Sequence, residues 1–155
     1  MRANLDLILG GPAHGRILRS LAEEALAAEA AVWAKEEADA FNRLLVDAGA
    51  GRIYLLNLSG EPAGFVIVLF RHSVRPAGRI AVISDFYLRQ RLYSRPVARK
   101  ALREILIDLD SFGISGVDAQ AHPDSELAHL LEQECFKVER VRLYHCCLQD
   151  FDPMP

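Results

Sequence analysis

Residues 80–83, Ile-Ala-Val-Ile, are apolar without interruption, and a strand that lacks polar alternation has to be covered on both faces. The run lies within 79–88 and predicts a strand at the centre of a sheet, with helices packed on each side. The segment that follows meets that demand. Residues 96–112 set Ala98, Ala101, Leu102, Ile105, Leu106 and Leu109 on one helical face, and Gly113 stands where a C-cap glycine belongs. Residues 114–121 then read as a strand, and 124–134 as a helix that turns Leu127, Ala128, Leu130 and Leu131 inward. Residues 136–148 read as one or two closing strands.

Upstream, residues 52–58 and 64–70 are short apolar runs around Ser-Gly-Glu-Pro-Ala, whose Gly60 and Pro62 mark the turn of a hairpin. A loop over 71–78 carries Pro76 and Gly78 as breakers. Residues 17–46 place Ile17, Leu18, Leu21, Ala25, Phe41, Leu44 and Leu45 at helical spacing, which gives two helices that break within 28–35. There is no repeat or linker, so the 155 residues are expected to form one domain spanning 1–155. With 51% hydrophobic and 25% charged residues, the composition is that of an ordinary globular chain able to bury a core without disulfides or metal.

The first ten residues hold one cation before residues 5–9, too weak a pattern for a secretion signal, and no apolar run reaches membrane-spanning length. Cys135, Cys146 and Cys147 are odd in number and form no disulfide framework. These features predict a soluble, cytoplasmic protein with reduced core thiols and no membrane partner. His14, His72, His122, His129 and His145 show no Cys/His pairing at zinc spacing, so no metal is expected.

The charge distribution carries more chemistry. Arg89, Arg91, Arg95, Arg99, Lys100 and Arg103 place six of the 18 cations within 15 residues that contain no acid, in a chain whose net charge is −3. At a strand end followed by a helix start, backbone N–H groups and the helix dipole also favour an anion, so a phosphorylated ligand fits; a charge run on a helix, taken alone, is more often only a solvated basic face. Nucleic acid is not expected, since only Tyr87 and Tyr93 accompany the arginines, too few for a stacking platform.

Residues 83–98, Ile-Ser-Asp-Phe-Tyr-Leu-Arg-Gln-Arg-Leu-Tyr-Ser-Arg-Pro-Val-Ala, followed by Arg-Lys-Ala-Leu, resemble the cofactor-binding segment of GNAT acetyltransferases. In that family a strand end leads into Arg/Gln-Gly-x-Gly-x-Gly/Ala and a long helix. Asp85, Leu88, Leu92, Val97, Ala98, Ala101 and Leu102 fit that segment. Residues 124–136 are similar to the family's Asn-x-x-Ala-x-x-Leu-Tyr-x-x-x-Gly-Phe stretch, with Ala128, Leu130 and Phe136 in place. The resemblance covers about two thirds of the chain. It implies an α+β GNAT (acyl-CoA N-acyltransferase) fold, a mixed, mostly antiparallel central sheet flanked by helices. It also implies acetyl-CoA as co-substrate, held by Phe86, Leu88, Tyr93, Ser94, Arg95, Val97, Ala98, Arg99 and Ser125.

The departures from the family have physical consequences. Tyr93, Ser94 and Pro96 replace Arg/Gln and the first two glycines, and Pro96 has no N–H to offer a phosphate. A hydrogen bond to a charged acceptor is worth about 1.5–3 kcal/mol, so one lost donor weakens binding by roughly one to two powers of ten. Arg95 and Arg99 can offset that loss through planar, bidentate contacts, while Ser94 suits an N-cap and Pro96 a first helical turn. Leu131 occupies the position of the family's proton-donating tyrosine, and Ser84 that of a common glutamate base. Asp85 is a candidate base, although strand alternation sets it opposite Ser84, Phe86 and Leu88.

Tyr144 is a candidate acid on a closing strand, or an aromatic packed in the sheet. The resemblance implies that the end of the 114–121 strand lies beside the acetyl group, which makes His122, just after it, a candidate general base, an imidazole being suited to accept a proton near neutral pH; a packing or capping histidine beside Pro123 is the alternative. Trp33 and the acids Glu23, Glu24, Glu29, Glu36, Glu37 and Asp39 lie in the N-terminal helices, which by resemblance border the acceptor site. An acidic border would favour a cationic amine, and the same residues also describe an exposed helix face. The expected function is N-acetyl transfer to an amine on a small molecule or peptide, with a non-catalytic coenzyme A or partner-binding protein as the alternative. A homodimer is left open.

Overall fold

A computed structural model describes residues 4–75 and 77–154; Pro76, read above as a breaker, lies outside the described residues. The chain runs β1 (Leu5–Leu9), α1 (Gly15–Ala28), α2 (Lys35–Leu44), β2 (Gly51–Leu58), β3 (Glu61–Ser73), β4 (Gly78–Leu88), α3 (Arg95–Ser111), β5 (Gly116–Ala119) and α4 (Glu126–Gln133). Short 3₁₀ turns occupy Pro12–His14 and Gln90–Leu92. The strands lie in the order β1-β2-β3-β4-β5, antiparallel except for the β4–β5 pair, which α3 connects.

Helices pack on both faces of this mixed sheet. On one face α1 and α2 bury Leu18, Leu21, Ala22, Phe41 and Leu45 against Ile53, Leu55 and Phe65. On the other, α3 and α4 bury Ala98, Ala101, Leu102, Ile105, Leu109, Leu130 and Leu131 against Tyr54, Leu56, Val66, Val68, Ala81 and Ile83. Adjacent residues of one strand therefore feed opposite cores, Ile53 and Leu55 one way, Tyr54 and Leu56 the other. β3 rather than β4 lies at the middle of the sheet, while β4 is interior between β3 and β5.

The β2–β3 turn is tighter than the Gly60-to-Pro62 reading. Ser59 (φ 53°) and Gly60 (φ 84°) both have positive φ, the backbone of a two-residue hairpin whose twist matches its strands. β3 starts at Glu61, so Pro62 sits within the strand beside a register shift at Leu56/Asn57. β1 was not anticipated: five residues without clean alternation, Leu5–Leu9, pair antiparallel with β2.

Polar side chains tie β2 to α3. Tyr54 Oη donates to Asp108 Oδ2 at 2.6 Å, Arg52 pairs with the same carboxylate, and the Arg52 guanidinium lies 4.0 Å from the Phe112 ring centre. Burial, then the neighbouring carboxylate, pushes the Tyr54 phenol well above its ordinary range.

The closing strands expected over 136–148 do not form, and residues 135–147 are irregular. Phe136 packs against the α3–α4 core, but Val138, Val141, Leu143, Tyr144 and Leu148 are exposed. Alternation supplies strand propensity, whereas a strand also needs a paired edge, and this segment pairs with none among the described residues. Cys135, Cys146 and Cys147 are likewise exposed, not core thiols. No helix among the described residues is long and apolar enough to cross a membrane.

Candidate active site

The site is organised by an irregularity in β4. Ile67 pairs with Asp85 and Val68 with Ile83, which leaves Ser84 as the extra residue of a β-bulge. Pairing between β4 and β5 ends at the same place. Its last register pair is Ile83–Ala119, followed by a 3.2 Å bond from the Gln120 N–H to the Ile83 carbonyl. Beyond it, β4 continues through 84–88 with no strand on that side among the described residues. The Arg89 N–H donates to the Ala63 carbonyl on β3 at 2.8 Å, so by alternation the peptide groups of Phe86 and Leu88 face the opening beside β5. At Gly64, β3 comes so close to β4 that a Cβ would collide with the Tyr87 carbonyl.

α3 begins next to this opening. Ser94 is its N-cap, extended in backbone, and its Oγ accepts the Val97 N–H at 3.4 Å. The Ala98 N–H goes to the Ser94 carbonyl and Pro96 has no N–H. The N–H groups of Ser94 and Arg95 are left without a partner among the described residues, so the helix start offers an anion two backbone donors.

The arginine cluster is largely neutralised by acids distant in sequence. Arg89 donates to Glu24 on α1 at 2.5 and 2.9 Å, and its guanidinium also donates to the Pro62 carbonyl. Arg91 pairs with Glu61, Arg99 with Glu134, and Arg103 with Glu134 at 3.1 Å; Lys100 donates to the Leu5 carbonyl at 3.4 Å. These guanidiniums hold the Glu24, Glu61 and Glu134 carboxyls below their usual range. Arg95 alone of the six has no partner among the described residues.

The other residues singled out in the sequence divide by location. Phe86, Leu88, Tyr93, Val97 and Ala98 pack on the α3–α4 core. The Tyr93 hydroxyl donates to Glu126 Oε2 at 3.1 Å, bridging the starts of α3 and α4, and burial followed by that carboxylate raises its pKa. Ser125 caps α4 through the Ala128 N–H at 3.1 Å, and its own N–H goes to the His122 carbonyl at 3.0 Å. The His122 side chain is exposed in the turn between β5 and α4. Leu131 is buried in the core, and Tyr144 is 83% exposed in irregular chain, not on a strand.

On the opposite face of the sheet a cleft of about 510 Å³ opens between α1, α2 and the strands. Phe65, Ile67 and Leu69, alternate residues of β3, form its apolar floor, with Trp33 and Phe41 on the helical side. Ser84 and Asp85 both line it, which corrects the alternation argument above: the bulge breaks the period of two and brings neighbouring side chains to one cavity. Ser84 Oγ donates to Asp85 Oδ2 at 2.9 Å. Of the N-terminal acids, Glu29 and Glu37 reach the cleft, whereas Glu24 is held by Arg89; Arg43 and Asp47, which no motif marked, complete the charged lining. A separate, more open hollow of about 670 Å³ is lined by Glu24, Tyr87, Arg89, Gln90 and Arg91.

No family model matches this sequence, and no curated protein matches it. Solved structures do. A ribosomal-protein-alanine N-acetyltransferase from Brucella melitensis biovar Abortus is 15% identical, with 93% of this chain and 100% of that chain covered at a TM-score of 0.76. A predicted acetyltransferase from Clostridium acetobutylicum, solved with acetyl-CoA, is 15% identical, with 94% and 98% covered at 0.73. An aminoglycoside N-acetyltransferase in complex with coenzyme A is 16% identical, with 94% and 97% covered at 0.70. The likeness is one of fold: this chain has the architecture of the GNAT acetyltransferases.

Proposed function

We propose that the protein is an acetyl-CoA-dependent N-acetyltransferase acting on an amine. The supporting observation is that the Ser84 bulge lies where two openings converge. On one side β4 parts from β5, and on the other the acidic cleft reaches Asp85. A thioester laid along the first opening and an amine in the second would meet across one strand.

The residues present fit such a co-substrate, with fewer donors than the family's glycine loop supplies. The peptide groups of Phe86 and Leu88 offer hydrogen bonds to an amide-bearing arm. The N–H groups of Ser94 and Arg95, with the unpaired Arg95 guanidinium, offer an anion site at the start of α3. Acetyl-CoA would supply an acetyl group activated as a thioester. Asp85 would orient the protonated amine, and His122, in the turn after β5, would accept the proton that the amine loses, directly or through water. Tyr93, Val97, Ala98 and Ser125 hold the walls of the opening, and Arg99 contributes only when Glu134 releases it.

A second reading, coenzyme A binding without turnover, draws support from Pro96 and Leu131, which remove a phosphate donor and a proton donor respectively. One pair of measurements separates the readings. A thermal-shift titration with acetyl-CoA, beside phosphate and ATP, should raise stability, by about 2.7 kcal/mol at a hundredfold excess over Kd. Free thiol should then appear with an amine panel. No shift beyond that of phosphate refutes both readings; a shift without thiol release leaves binding alone.

A further inference from the structure

We propose that the hydrogen bond between Tyr93 and Glu126 is a latch across the opening between β4 and β5, released when a ligand enters. The opening is closed at both ends. At one end the Gln120 N–H donates to the Ile83 carbonyl at 3.2 Å, and at the other Tyr93 Oη donates to Glu126 Oε2 at 3.1 Å. Between those bonds the chain runs along β4 and the turn after it, 83–93, on one side, and through the turn from β5 to α4, 120–126, on the other. No other hydrogen bond joins the two sides among the described residues. An arm laid along the peptide groups of Phe86 and Leu88 therefore lies inside a circuit that one side-chain bond completes.

That bond is also the weaker of two ties between α3 and α4. At the C-terminal end of α4 the Glu134 side chain, only 7% exposed, takes both Arg99 and Arg103. At the N-terminal end the tie is a single phenol on the carboxylate of Glu126, an exposed residue. Two charge-assisted bonds to a carboxylate shielded from water outlast one phenol bond open to it, so the start of α4 is the end that yields. The Tyr93 ring packs against the α3–α4 core, which fixes the hydroxyl while Glu126 is free to leave. Burial and then the Glu126 carboxylate raise the phenol's pKa, and the nearby Arg95 guanidinium acts the other way. An anion arriving at Arg95 thus brings negative charge towards Glu126, and like charges favour its release.

The latch rests on the coenzyme reading above for what passes it; the bond itself does not. Two measurements on the parent and Tyr93→Phe test it, hydrogen exchange of the free protein and stopped-flow association of acetyl-CoA. The variant keeps the ring and loses only the hydroxyl. One net hydrogen bond is worth about fivefold in an equilibrium. Exchange of the Ser125, Ala128 and His129 amides, all bonded around the start of α4, should therefore quicken about fivefold, with the amides of β2 and β3 unchanged. Association of acetyl-CoA should quicken by a similar factor, because the closed form is the larger population and entry waits on the open one. Unchanged exchange overturns the latch. So does faster exchange with association unchanged, the mark of a structural tie, or slower, the mark of a hydroxyl that holds the ligand. If neither protein binds acetyl-CoA, the coenzyme reading falls and takes the gate with it, whereas parent and variant binding at one rate removes the gate alone.

Discussion

Pro96 is the position where one substitution tests the anion site most directly. At the start of α3 the Val97 N–H is already taken by Ser94 Oγ, so the missing Pro96 N–H leaves Ser94 and Arg95 as the backbone donors. Pro96→Gly adds one donor. If it points at a bound phosphate, the gain is that of a hydrogen bond to a charged acceptor, about 1.5–3 kcal/mol, or roughly ten- to hundredfold in affinity. Against this, proline suits a first helical turn and restricts the unfolded chain, so glycine costs about 1 kcal/mol of stability and some ordering of the helix start. The net expectation is coenzyme A binding about tenfold tighter, with Tm lowered by a few degrees for a chain of this size. Calorimetric titration with coenzyme A, beside a melting curve of the free protein, reads both quantities. An affinity unchanged or weaker, with the drop in Tm present, would show that the helix start does not face the phosphate.

Arg95→Ala should weaken coenzyme A binding about tenfold in the same titration, and Arg99→Ala by much less, because Glu134 already occupies that guanidinium; the opposite order would mean that Glu134 yields on binding. His122→Ala should turn over much more slowly than the parent with cofactor binding retained; a variant as active as the parent excludes the histidine. Tyr54→Phe should cost about 1.5–3 kcal/mol in urea unfolding, since it removes the hydroxyl bonded to Asp108 at 2.6 Å, and a loss below about 0.5 kcal/mol would show that this bond carries no net stability. The Glu24 carboxyl is lowered by its hydrogen bonds from Arg89, so the folded state holds that proton more weakly than the unfolded chain; its contribution is complete above the unfolded value, near about 4.3, and is lost as pH falls through the lower folded value. Melting curves down that range should lose this component in Glu24→Gln, and identical pH dependence in both proteins would refute it.

The architecture was legible because it rests on local patterns that survive any arrangement of neighbours. Ile80–Ile83 required cover on both faces, and the spacing from Ala98 to Leu109 supplied a helix for one of them. Ser94 and Gly113 marked its ends, and Ser94 is indeed the N-cap. The resemblance in 83–98 and 124–136 placed these elements in the right order. β1 and the missing closing strands were not legible, since both depend on which edge is available for pairing. Leu5–Leu9 found one on β2, and residues 136–148 found none among the described residues despite better alternation.

The site shows the same division at finer scale. The sequence by itself determined that a basic turn leads into a helix beside a strand end, and that acids and a tryptophan lie in the N-terminal helices. Tertiary structure decided what those charges do. Glu24, Glu61 and Glu134, far away in sequence, take up Arg89, Arg91, Arg99 and Arg103, and leave Arg95 without a partner among the described residues. The register slip between β3 and β4 brings Ser84 and Asp85 together into a cleft with Glu29, Glu37 and Asp47. A charge has a local address in the chain, but its partner and its field are set by distances in space. A bulge is a mismatch between two strands, and neither strand alone contains it.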